Sequence, residues 1–95
     1  MMQNAVIYKY ELHVGAATAI VMPAGAIVLT VQTQHDRLFL WALLDATLPL
    51  TETRTFRVVG TGHPIPDIAQ LHYLGTAQMH GGGLVWHVYE KFEVQ

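Results

Sequence analysis

The chain has no cysteine. That removes disulfides, thiolate metal sites and cysteine nucleophiles together, and fits a reducing cytoplasm, the location expected for it. Charge is also scarce: 13% of the 95 residues are Asp, Glu, Lys or Arg, against ~25% in an ordinary domain. The five basic residues, Lys9, Arg37, Arg54, Arg57 and Lys91, are scattered. A surface that tracks phosphates needs them clustered, so nucleic acid is not an expected partner. No apolar run approaches the ~18–20 residues of a membrane span. The first nine residues lack a basic stretch followed by an apolar one, so neither a signal peptide nor a membrane partner is expected.

What the chain has in quantity is apolar residues, 52% of the total. With the low charge, that figure argues against disorder, and the length suits one domain over residues 1–95. Val6–Leu12 alternates with period two. Thr18–Met22, Ala26–Gln34, Arg37–Leu44, Arg54–Val59, Leu71–Met79 and Leu84–Val94 are further short strand candidates between turn signals. Ile27, Leu29, Val31 and Thr33 form the expected inward face of the third. Residues 45–53 are expected as loop. Pro66–Gln70 suits one helical turn. The sum is an all-β fold, an antiparallel sandwich or flattened barrel of about seven strands.

His35-Asp36 is a plausible two-residue hairpin turn. It sets Gln34 opposite Arg37, Gln32 opposite Phe39 and Thr30 opposite Trp41. Phe39, Trp41 and Leu43 then share a face too apolar to leave in water. Either a second sheet covers it or another copy of the chain does, and we expect a homo-oligomer using those three residues. In the last hairpin, Leu71, Tyr73, Ala77 and Met79 are expected in the core with Leu84, Trp86 and Val88. A two-residue turn within Gly81–Gly83 keeps both sets on one face. His72, Thr76, Gln78 and His80 then lie beside Val85, His87, Tyr89 and Lys91.

Gly60-Thr61-Gly62-His63-Pro64-Ile65-Pro66-Asp67 is a conformationally specified loop, because glycine opens positive φ and proline locks φ. Thr61, Gly62, His63 and Pro64, with Gln78, His87 and Tyr89 as an opposite wall, are the expected ligand- or partner-binding residues. No nucleophile, base and third group stand at a readable spacing, so no catalytic residue is assigned. Six histidines are present, yet none shows a zinc-protease spacing, so no metal or other cofactor is expected.

The segments Gly60-Thr61-Gly62-His63-Pro64-Ile65-Pro66 and Trp86-His87-Val88-Tyr89-Glu90 are the most distinctive parts of a resemblance that covers most of the chain. Met22–Ala26, Val31–Gln34, Leu40–Leu43 and Tyr73–Thr76 add to it. The chain resembles a family of small uncharacterised proteins encoded by bacteriophages and bacteria. The resemblance implies a phage or prophage context and a cytoplasmic site of action, and carries over no catalytic residue. The expected function is a non-catalytic accessory protein that binds a host protein or a small molecule, with counter-defence as one such role. The alternatives are a ligand-sequestering protein or enzyme with a histidine-lined pocket, and a minor structural component of a phage particle.

Overall fold

The computed structural model describes residues 2–92. Seven strands run in chain order: β1 (Ala5–Leu12), β2 (Thr18–Pro23), β3 (Ile27–Gln34), β4 (Arg37–Asp45), β5 (Leu50–Gly60), β6 (Leu71–Met79) and β7 (Leu84–Lys91). They form two antiparallel sheets, ordered β1-β4-β3 and β2-β5-β7-β6. The fold is all-β, and the sheets do not close into a barrel. Among the described residues helix is limited to 3₁₀ turns at Ile68–Gln70, as expected, and at His80–Gly82. Among those residues no helix is long and apolar enough to cross a membrane. The last strand ends at Lys91 rather than Val94, which lies outside the described residues.

The core forms between the facing sides of the sheets. Leu38, Leu40, Ala42 and Leu44 of β4 meet Phe56, Val58, Val88, Ala77 and Met79, with Leu12, Met22, Ala26 and Val31 completing the cluster. β4 supplies alternate residues to this core, as the period of two requires. The sheets come closest along β3 and β6, where Thr33 Oγ1 donates to the Gln78 carbonyl at 2.8 Å.

The His35-Asp36 turn forms as expected, with φ of 51° and 57°, and Gln34 pairs with Arg37. Its tip is held by the other hairpin: the His80 N–H donates to Asp36 Oδ1 at 3.1 Å. Four expectations are corrected. A bulge at Leu29 shifts the β3 register, so Val28 and Val31 turn inward while Ile27 and Leu29 are exposed. A second bulge, at Leu74, turns Tyr73 out of the core and separates His72 from His87. A bulge adds one residue and therefore exchanges faces beyond it. Residues 50–53 are strand, because β2 pairs with them. Finally, the β6–β7 loop spans residues 80–83, since Met79 pairs with Leu84. Any even loop length preserves the faces, so four residues serve where two were expected.

Candidate functional site on the outer face of the second sheet

β5 and β6 are parallel to each other, with β7 between them, so residues 61–70 must cross from one end of the sheet to the other. The crossover opens with a tight turn: the His63 N–H donates to the Gly60 carbonyl at 3.1 Å, and Gly62 sits at φ 86°. Glycine is suited to that position because a side chain at positive φ meets the backbone. Farther on, Asp67 pairs with Arg57, whose side chain lies on the face of β5 away from the core. Gln70 then accepts from the Phe92 N–H at 3.1 Å.

The turn sends Thr61 and His63 to different places. Thr61 Oγ1 lies 2.7 Å from His87 Nε2 on the outer face. The His63 ring instead packs against Gly60 and Trp86, 3.1 Å from where a Gly60 Cβ would stand. Gly60 and Trp86 are a cross-strand pair on the inward side of the sheet. Of the expected site residues, Thr61, His87 and Tyr89 therefore come together, and His63 does not join them. Gly62 is the turn residue, Pro64 is exposed on the crossover, and Gln78 flanks the face opposite Val85.

The arrangement extends past those residues. His87 Nδ1 lies 3.0 Å from Thr76 Oγ1, and Thr76 Oγ1 lies 2.5 Å from the Tyr73 hydroxyl. Tyr73 packs edge-on against Tyr89, with ring centroids 5.5 Å apart. The result is a continuous line of side chains, Thr61–His87–Thr76–Tyr73, lying across three neighbouring segments. Neutral imidazole has one donor and one acceptor nitrogen. The line therefore has two self-consistent polarities. With the proton on Nδ1, His87 donates to Thr76, Thr76 to Tyr73, and Thr61 donates to Nε2. With the proton on Nε2, every bond reverses.

Tyr73 and Thr76 are the site residues that sequence reasoning left out. Gly75 was the available signal, because an isolated glycine inside a strand marks a bulge. Among the described residues no group of three or more His, Asp or Glu side chains is placed to hold a metal ion.

The face expected to mediate self-association lies on the other side of the molecule. Among the described residues no second sheet covers it. Phe39 is nevertheless only 7% exposed. Lys9 Nζ sits 4.5 Å above its ring and donates to Gln34 Oε1 at 2.9 Å, while Arg37 spans to Glu11, also at 2.9 Å. The Arg37 bond holds the Glu11 carboxyl below its usual range. Trp41 and Leu43 are half-buried. An open cleft of about 780 Å³ lies at the Leu43 end, lined by Met2, Ala5, Ile27, Asp45 and Leu48 among others.

Compared with known proteins, the chain matches the family described as Domain of unknown function (DUF7352) over residues 3–95. No curated protein and no solved structure matches it.

Proposed function

From the premise that the chain belongs to this family of unknown function, we propose a non-catalytic binding protein that recognises a host protein or small molecule through the outer face of its second sheet. A phage or prophage accessory role, counter-defence included, is the setting in which we place it, and the cytoplasm its location. The observation that carries the reading is the hydrogen-bonded line from Thr61 through His87 and Thr76 to Tyr73. Both ends keep unused hydrogen-bonding capacity, and Tyr73 is 53% exposed beside Tyr89. Such groups are already oriented, so little side-chain entropy remains to be lost on binding. The two polarities suit a ligand that offers a donor at one end and an acceptor at the other. Tyrosine adds amphipathic contact area of the kind that dominates binding surfaces.

Separate Thr61→Ala and His63→Ala variants test this against whatever co-isolates with the protein from bacterial cells. Loss of the bound species with Thr61→Ala but not with His63→Ala supports the reading. The reverse result moves the site to the Gly60–Trp86 side of the turn.

One observation favours the enzymatic alternative as a second reading. Thr61 Oγ1 and His87 Nε2, 2.7 Å apart, have the spacing of a nucleophile and its base. Incubation with a fluorophosphonate separates the readings: a covalent adduct on Thr61, seen by peptide mass spectrometry, makes the site catalytic, and an unmodified chain keeps it non-catalytic.

A further inference from the structure

The two sheets have different free edges. β2 is short, ends in Pro23, and carries a register irregularity between Met22 and Pro23. Proline and bulges both deter pairing with another strand. β1 has neither protection. It runs for eight residues, pairs with β4 in unbroken register, and among the described residues has no strand on its other side. Its first five residues, Ala5–Lys9, are all exposed, and only Lys9 is charged. Val6 and Tyr8 lie on one face and Ile7 on the other, so this stretch is apolar on both sides. The start of the strand is paired, with Ala5 opposite Asp45, whose carboxylate accepts from the Thr47 N–H and hydroxyl.

We propose that β1 pairs antiparallel with β1 of a second copy about a two-fold axis at Ile7, making one continuous six-stranded sheet. The register follows from charge and exposure. Centred on Ile7, the pairing sets Ile7 opposite Ile7, Val6 opposite Tyr8 and Ala5 opposite Lys9, which uses the five exposed residues and no others. Centring on Lys9 would oppose two like charges, which destabilises a strand pair. Centring on Tyr10 would leave Ala5, Val6 and Ile7 unpaired and bring in Leu12, which is buried already. The Ile7 register also completes something on the outer face. Ile7 and Ile27 both stand opposite Leu43, and are 57% and 53% exposed. Across the axis this becomes a row of six apolar side chains, Ile27–Leu43–Ile7 and its symmetric copy. Stable complexes bury ~1,200–2,000 Å² in total; five residues a side with one apolar row is a small interface on that scale, so the dimer is expected to dissociate on dilution.

Light scattering coupled to size exclusion, on the full chain from 1 to 200 µM, tests the proposal. A concentration-dependent dimer is expected. Ile7→Lys, which sets two ammonium groups together on the axis, should weaken it at least about 100-fold. Val21→Lys, a comparably exposed site on β2, should leave it unchanged. Because the chain has no cysteine, Ile7→Cys gives a direct reading of register. Opposed Cβ atoms lie ~4.5–5.5 Å apart, so mild oxidation should crosslink Ile7→Cys rapidly and Ile27→Cys far more slowly. A monomer throughout, a dimer that survives Ile7→Lys, or faster crosslinking at Ile27→Cys each overturns it.

Discussion

The outer faces of the two sheets handle their polar groups differently. On the first, the charged side chains are spent on one another: Arg37 holds Glu11, Lys9 holds Gln34, and together they roof the Phe39 ring. On the second, Arg57 holds Asp67, but a further line of hydroxyl, imidazole and phenol groups runs between strands and ends in solvent. A closed set of partners stabilises a surface and has nothing left to offer a ligand. An open line with free ends offers both donors and acceptors. The difference indicates which face supports the fold and which is available for recognition.

Truncating the first face should therefore cost stability. Phe39→Ala is expected to lose about 3 kcal/mol, the lower end for a buried phenylalanine, measured by urea unfolding. A loss under about 1 kcal/mol would mean that the roof contributes little packing. Next in size is Gly60→Ala. The added methyl would meet the His63 ring at 3.1 Å and Trp86 at 3.2 Å, and overpacking of this kind costs about 1–3 kcal/mol. If the same variant weakens binding, the turn also positions Thr61.

Acid should separate the sheets. Glu11 and Asp45, both on the first sheet, have carboxyl groups held below their ordinary range, by the Arg37 bond and by the Thr47 bonds respectively. A depressed folded value gives stability that is complete above the unfolded value of ~4 and is lost as pH falls through the folded one. Amide exchange of β1 should thus accelerate below about pH 4, ahead of β6 and β7. Asp45→Asn should flatten that acid dependence. The smallest effect is expected on the second face. Tyr73→Phe should change stability by about 0.5 kcal/mol, the low end for one hydrogen bond, while reducing binding.

Much of the fold was legible in the chain. The alternation in β1 and the turn signals gave the strands, and the His35-Asp36 turn gave the pairing of Gln34 with Arg37, Gln32 with Phe39 and Thr30 with Trp41 correctly. The two bulges were not legible from periodicity. In β3 every residue from Ala26 to Val31 except Thr30 is apolar, so either phase satisfies a two-residue period, and only pairing with β4 selects Val28 over Leu29. In β6 the run Leu71, Tyr73, Ala77, Met79 is in phase on paper, and the inserted Leu74 breaks it in space. Thr51, Thr53 and Thr55 carried a β-branched strand signal that Pro49 obscured. Of the candidate site, Thr61, His87 and Tyr89 could be named from sequence. Their connection through Thr76 and Tyr73 could not, because it depends on the Leu74 bulge.

The central claim is that the second sheet's outer face is the recognition surface, and one comparison tests it most directly. Wild type and a Thr61→Ala/Tyr73→Phe double variant, shown to have similar melting temperatures, are isolated from bacterial cells, and co-isolating proteins and small molecules are quantified by mass spectrometry. The account predicts a species enriched with the wild type and at least about tenfold depleted with the variant. Equal recovery of that species with both would contradict it.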